Sequence, residues 1–390
     1  MHPPCRPFCP TGEHKSGQIA SPVALPLPSL AERRSQMHRR DFLAGGAAAT
    51  AAGLTLTPGM AQAMDRMGGM GGSMDRSLTG DFLDLTKPEG NREAWARLLG
   101  NTDMQSTKYG FAEGIIQGVR PNEALRDLVG FTMVSAARLL PHEDGIGYRK
   151  VLREIGFYTD IKTGEILTEW ENPYMGETVK VVPIANDPFN HTITNFYPDP
   201  PSYGGLNTQK PPKIPLMLDF RRRGDMLNLF SHINLFYPSA LQPAQWPRES
   251  SGEFNRVTET FLYFIDWNAM QDPSITSVEY NGTWSRVTPW LPWMLMGPSE
   301  GHCVYQTFMG AVDSIDKLPN PATVEYIRAN NPKYLEAPEK WEEPSLSSLE
   351  WYSREQTPAP IEGDEIPTAP RAELPDWWQR MKAARQQQGG

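Results

Sequence analysis

The chain is poor in the residues that most crosslinks and much common enzyme chemistry require. It has three cysteines in 390 residues, and Cys5 and Cys9 lie at the extreme N-terminus. Beyond residue 63 only Cys303 is left, so no intramolecular disulfide can form there and stability must come from a packed core. Four histidines follow residue 63: His142, His191, His232 and His302. None stands in H-x-x-x-H or H-E-x-x-H spacing, which leaves no local zinc motif. There is no Walker A loop and no G-x-G-x-x-G after a strand, so nucleotide-phosphate chemistry has no support. The cysteine sets for c-type haem or iron–sulfur clusters are missing too. Positive charge is scarce: past residue 63, 31 Lys and Arg face 43 Asp and Glu, a net charge of −12. Nucleic acid and anionic lipid both select basic surfaces, so neither is an expected partner. No run approaches the roughly 20 strongly apolar residues of a bilayer-spanning helix, so no stable membrane span is expected.

What is present begins with an address. Met37-His38-Arg39-Arg40-Asp41-Phe42-Leu43 pairs two arginines with an acidic residue and Phe-Leu. An uncharged Ala/Gly/Leu/Thr stretch follows to Gly59, and Ala61-Gln62-Ala63 supplies a small-x-small cleavage site. Residues 37–63 therefore read as a twin-arginine signal peptide. The twin-arginine export machinery is an expected partner, and the periplasm or the exterior the expected location. Residues 1–36 are Pro-rich and patternless and read as an upstream extension, with Met37 the expected start. This route carries folded cargo with and without cofactors, so the signal itself names none.

Residues 64–84 form a Gly/Met/Ser stretch without periodicity, expected to be a disordered linker. A single β-rich domain is expected over residues 85–355. It opens with a short amphipathic helix near Asn91–Gly100, with Trp95, Leu98 and Leu99 inward. From Lys108 to Met309 apolar and polar residues alternate with period two, the mark of half-buried strands. Tyr148–Tyr158, Glu165–Trp170, Thr178–Ile184, Met226–Tyr237 and Glu259–Trp267 are the clearest stretches. Asn281-Gly282 reads as a hairpin turn, and Asp144-Gly145, Thr163-Gly164 and Met175-Gly176 as further turns. Many strands at short spacing without helices between them imply a mainly β fold: an antiparallel β-barrel or barrel-like sandwich with a few short peripheral helices. Asn320–Asn330 reads as one such helix. Residues 356–390 read as a Pro-rich arm ending in a short helix.

Two stretches carry a resemblance. Trp170-Glu171-Asn172-Pro173-Tyr174-Met175-Gly176-Glu177 leads on to Asn186-Asp187-Pro188-Phe189-Asn190, and Pro289-Trp290-Leu291-Pro292-Trp293-Met294-Leu295-Met296-Gly297 follows later. Together they resemble the family called domain of unknown function 1838, over roughly residues 85–355. Bacterial members of that family often carry twin-arginine signals. The resemblance implies no reaction, so function rests on the residues.

Gly297-Pro298-Ser299-Glu300-Gly301 matches the G-x-S-x-G nucleophile elbow, but that motif needs a following helix and a later acid and histidine. Here Val304, Gln306 and Phe308 alternate as in a strand, so a turn between strands is expected. His191, His232 and His302 are candidate general bases if any of them reaches a cavity. Glu154 shares a strand face with Tyr148, Lys150, Leu152 and Tyr158. Facing inward, it would be a buried catalytic carboxylate; facing outward, it would pair with a neighbouring base. Trp170, Tyr174, Trp290, Trp293 and Met294, with Asn186 and Asn190, are candidate ligand-binding residues for a flat apolar molecule. Met294, Met296, His302 and Cys303 lie close in sequence as soft and imidazole donors that suit copper. No metal ligand set is assigned and no cofactor is expected, copper remaining the weaker third reading. Two main readings stand: a binder of a hydrophobic or aromatic small molecule, and a cofactor-free lyase, isomerase or hydrolase using a histidine and a carboxylate. Oligomeric state is not readable from the sequence.

Overall fold

The computed structural model describes residues 75–199, 212–372 and 376–388. The signal peptide, the extension before it and most of the linker lie outside these residues.

Nine antiparallel strands form one curled sheet, and the expected mainly β architecture holds. The strands in that sheet are β1 (Lys108–Val119), β2 (Arg126–Pro141), β3 (Tyr148–Thr159), β6 (Ile184–Ile193), β7 (Asp219–Arg223), β8 (Met226–Pro238), β9 (Phe254–Asp266), β10 (Tyr280–Thr288) and β11 (His302–Val312). Their order is β6-β3-β2-β1-β11-β10-β9-β8-β7. A separate pair, β4 (Glu169–Glu171) and β5 (Thr178–Lys180), lies between β3 and β6 in the chain. The sheet is a half-barrel, since β6 and β7 are its two ends and do not pair with each other.

Period-two alternation sorts the side chains between the two faces. Ala112, Phe131, Tyr158, Leu229, Tyr263, Trp284 and Tyr305 belong to the core on the concave face. Val134, Ile155 and Phe157 point the other way, onto Val324 and Ile327 of helix α3 (Pro321–Asn330) and onto Tyr334 and Leu335.

The open gap is bridged by helix α1 (Pro88–Leu99). Pro88 and Glu89 suit its first turn and Arg97 its last. Asn91, fully buried, donates to the Leu85 and Lys87 carbonyls at 2.8 Å each and accepts from the Leu218 N–H at 2.8 Å, just before β7. Arg92 donates to Asn195 at 2.8 Å, just after β6. One helix thus ties together the approaches to both sheet ends. Trp95 meets Tyr263 edge-on at 5.8 Å, so the helix also plugs one end of the concave face.

Several expectations are corrected. Asn281 and Gly282 are not a hairpin turn but lie within β10, paired with Phe264 and Tyr263. A Cβ on Gly282 would stand 2.2 Å from the Leu262 carbonyl oxygen, so the glycine serves close strand approach and not a left-handed turn. Thr178–Ile184 is not one strand. It stops at Lys180 and β6 begins at Ile184, because Pro183 offers no N–H to a ladder. Glu165–Trp170 reduces to an isolated Thr159–Ile166 bridge followed by β4. Within residues 75–84 of the expected linker, Thr79 bridges Asp84 and Leu83 is buried in the core, while most of the other residues are exposed. The glycines at 145, 164 and 176 do turn with positive φ, at 73°, 75° and 68°. The C-terminal arm lies along the protein as far as residue 370: Ala359 donates to Glu249, and Ala369 donates to Ser299 at 2.9 Å. Helix α5 (Asp376–Gln388) ends it, after α2 (Trp267–Gln271) and α4 (Ser348–Glu355) earlier in the chain.

If Asn91 closes the gap, Asn91→Ala leaves the Leu85 carbonyl and the Leu218 N–H without this partner, while the Lys87 carbonyl keeps the backbone N–H of residue 91. Urea unfolding should show about 2–4 kcal/mol lost, whereas Asn195→Ala, at the exposed end of the same bridge, should cost under about 1 kcal/mol.

Candidate functional site

The register places a set of polar side chains on the concave face, in a lumen that water reaches. Glu154 pairs across β2 with Ser135 and across β6 with Asn186, and Lys150 pairs with His191. From the other side of the sheet, Arg286 of β10 pairs with Tyr305 of β11 and Glu259 of β9. Glu154, Lys150, His191, Asn186, Glu259 and Arg286 all keep partial solvent access, although they sit in the closed curve of the sheet. Glu154 feels the charges of Lys150, Glu259 and Arg286, so the β3 wall and the β9–β10 wall face each other across the lumen.

One end of this lumen is an aromatic roof. Trp293 lies in a short helical turn, Pro292–Met294, whose exit at Leu295 has φ 56°. Its ring meets Tyr158 at 4.8 Å and Trp170 at 5.5 Å. Phe131 meets Tyr158 at 6.0 Å and Tyr305 at 5.2 Å, and Trp284 lies 5.4 Å from Tyr305. Tyr174 and Trp290 pair at 5.6 Å above the roof. Asn172 donates to the Met294 carbonyl at 3.0 Å and holds the Pro173-Tyr174 turn against the 292–294 turn.

Polar atoms turn into this aromatic cluster. Trp284 Nε1 donates to Glu259 at 3.1 Å, while Arg286 Nε stands 3.7 Å from Glu259 and makes no hydrogen bond. The Arg286 guanidinium lies 5.7 Å from the Tyr305 ring centre. Tyr158 is oriented towards Trp293 Nε1–H and Tyr305 OH. Neither of those two buried groups closes a hydrogen bond of normal geometry within the protein. A cavity of about 60 Å³ opens beside Tyr158, Trp293, Arg286 and Asn255.

Burial dominates the proton affinities. It pushes the Tyr158 hydroxyl up to about 12, against the pull of Trp293, Tyr305 and Arg286. Tyr305 and Tyr263 are raised well above a normal phenol for the same reason. Burial works against the Arg286 charge as well, but Glu259 and the surrounding phenols outweigh it and keep the guanidinium cationic. On the opposite wall burial raises the Glu154 carboxyl, with Asn186, which donates to Oε1, and Lys150 opposing. Lys150 is lowered to about 8 by burial, with Glu154 opposing. His191 is lowered to about 3 by burial and by Lys150, so it is a neutral imidazole at physiological pH.

The sequence-predicted residues divide. Glu154 faces inward, and Asn186 and His191 join it. Trp170 and Trp293 belong to the roof, and Tyr174, Trp290 and Met294 pack around it. Asn190 lies on the other face of β6, where its N–H donates to Ser345 at 3.0 Å and its side chain to Glu342. His232 is exposed on the outer face of β8 beside Phe230 and Thr260. His302 precedes Cys303 on β11 and so points away from it. Only Met294 therefore accompanies Cys303, at 3.9 Å, and burial holds the thiol up at about 12. Among the described residues no three His, Cys, Asp or Glu side chains gather as a metal site, so the donor set that the copper reading needs is not assembled. Ser299 of the G-x-S-x-G stretch is structural: its carbonyl accepts from Trp290 Nε1 at 3.0 Å and its hydroxyl from Ala369. Arg286, Glu259, Tyr305 and Tyr158 escaped the sequence reading as site residues. The signal was there in phase: Trp284 and Arg286 alternate on one face, and an arginine at a core-facing strand position needs a partner.

Fold and site define an exported antiparallel half-barrel with an aromatic cluster in its curve. The chain belongs to the family described as protein of unknown function (DUF1838), which matches residues 105–356. Residues 36–55 match the twin-arginine translocation pathway signal sequence, so the protein is exported to the periplasm or beyond. No curated protein matches the chain. No helix of the described residues is long and apolar enough to cross a membrane.

The His191 shift has a checkable consequence. Its folded-state pKa of about 3 lies below the ordinary 6.5, so on acidification the unfolded chain takes a proton that the folded one refuses. Stability therefore falls as pH drops from 6.5 towards 3. His191→Gln should lose less stability than the parent between pH 7 and pH 4 in urea titrations. Equal losses would place His191 in an ordinary solvated environment.

Proposed function

We propose that the lumen binds a small molecule with a flat unsaturated body and an anionic or strongly electronegative oxygen head. The head sits at Arg286, Tyr158, Tyr305 and Trp293, and the body lies along Trp284, Phe131 and Phe261. The observation that carries this reading is the pair of buried donors, Trp293 Nε1 and Tyr305 OH, which turn to the Tyr158 hydroxyl without closing a hydrogen bond of normal geometry, beside a guanidinium that is not fully engaged by Glu259. Buried donors left without acceptors cost about 1–3 kcal/mol each, a cost that an arriving oxygen removes. The 60 Å³ cavity suits a carboxylate or about four waters but not a ring, so in this reading the ring lies outside it, along the concave face. The acidic protein presents this cationic niche only inside, where low dielectric strengthens its hold on an anion.

Benzoate and trans-cinnamate should quench tryptophan fluorescence saturably. Arg286→Gln should weaken both by tenfold or more, and Tyr305→Phe by about threefold, with unfolding midpoints little changed. Unchanged affinity in Arg286→Gln, or no saturable quenching in the parent protein, ends this reading.

A further inference from the structure

We propose that Lys150 is a covalent site of the lumen: its amine condenses with the aldehyde or ketone of a bound molecule to form an imine, while Glu154 moves the protons. This deepens the reading above and shares with it only the premise that the lumen admits a small aromatic molecule.

Lys150 stands on the concave face of β3, partly open to the lumen, and among the described residues its Nζ makes no hydrogen bond and no ion pair. The contrast with Lys108 is instructive. That lysine also lies inside, but its ammonium is held at 2.7 Å by the carbonyls of Arg97 and Val278 and is fixed as part of the plug. Nothing holds Lys150 in the same way. Glu154 lies four residues further along the same strand face, about 13 Å away at the backbone. Leu152, buried, stands between them on that face, and the two groups interact through their charges. Asn186 fixes the Glu154 carboxyl from β6. The other groups around the amine are His191, a neutral imidazole, on β6, and Lys108 on β1, within electrostatic reach.

Burial supports the chemistry. With the amine lowered to about 8, roughly one molecule in ten carries it unprotonated at pH 7, a few hundred times the fraction at an ordinary lysine. Burial also raises the Glu154 carboxyl, which favours the protonated form that dehydration requires.

The steps balance without a further reagent. The Lys150 nitrogen lone pair attacks the carbonyl carbon, and the C–N bond forms as the carbonyl π pair moves to oxygen. Oxygen takes up a proton and nitrogen gives one up, which yields the carbinolamine. Glu154 then protonates the hydroxyl, the C–O bond breaks, water leaves, and the nitrogen lone pair closes the C=N bond. Hydrolysis reverses each step and returns the free lysine.

The test uses the full folded chain with benzaldehyde and cyanoborohydride at pH 7, followed by peptide mapping of the reduced adducts. Benzaldehyde has no carboxylate, so labelling does not depend on Arg286. Lys150 should label at least tenfold faster than the exposed Lys162 and Lys340. Glu154→Gln, checked for folding by circular dichroism, should slow the Lys150 adduct several-fold and leave the surface adducts unchanged. Lys150 labelling no faster than Lys162 overturns the proposal, and if benzoate still binds, the anion-head reading survives it. Fast Lys150 labelling that Glu154→Gln leaves untouched removes Glu154 from the step. Fast labelling without benzoate binding keeps the lysine and discards the anion head.

Discussion

The structure depends on a sheet that curls without closing. Nine antiparallel strands bring two free edges, β6 and β7, towards a gap, and exposed edges with unpaired N–H and C=O groups are unstable features. Helix α1 fills that gap through side-chain hydrogen bonds and not through another strand. Asn91 and Arg92 hold it on both sides while Trp95 and Leu98 enter the concave face. Because a helix stands where a tenth strand would be, the concave face is not zipped shut into a small solid barrel. It keeps a water-reached interior that charged side chains can line.

The charges in that interior are costly to place there. A buried ion without a partner is strongly disfavoured, and a fully paired one gains little net stability. This lumen does neither completely. Glu259 is engaged by Trp284 and stands close to Arg286, and Asn186 is bonded to Glu154, yet Trp293 Nε1 and Tyr305 OH turn to Tyr158 without closing a hydrogen bond of normal geometry, and Lys150 has no hydrogen bond or close ion pair among the described residues. Several structural polar groups elsewhere have backbone partners. Lys108 has two carbonyls, Arg97 has backbone carbonyls of the 270–273 segment, and Asn172 has the Met294 carbonyl. Unpaired buried polar atoms also occur outside the lumen, at Arg120 Nε, Ser277 Oγ and Glu350 Oε1 for example; those at Trp293 and Tyr305 differ in lying next to the cationic Arg286.

Much of the fold was legible from the residues. Tyr148–Tyr158 and Met226–Tyr237 differ from β3 and β8 by one residue at an end, because a strand with one face in a core shows its period directly. The misreadings share one cause. Asn281-Gly282 has turn chemistry in sequence, but the Leu262 carbonyl demands a glycine there inside a strand. Residues 75–84 have linker chemistry, yet Leu83 finds a core that their own composition does not reveal. Glu154 was legible as a candidate, because its face could be inferred from Leu152 and Tyr158. Arg286 and Glu259 were not, since each is an unremarkable charge until the register sets the two side by side on the same face as Tyr305.

Local chemistry alone determined the export address, the impossibility of a disulfide beyond residue 63, the acidic surface and the β class, because each depends on residue type or on a period of two. The long-range pairing decided the rest. Lys150 and Arg286 are separated by well over a hundred residues, and only the strand order and the curl turn them towards one space. The difference between a histidine on the surface, His232, and one in the lumen, His191, is a matter of which face a strand presents to the curve, and that is settled by its neighbours in the sheet.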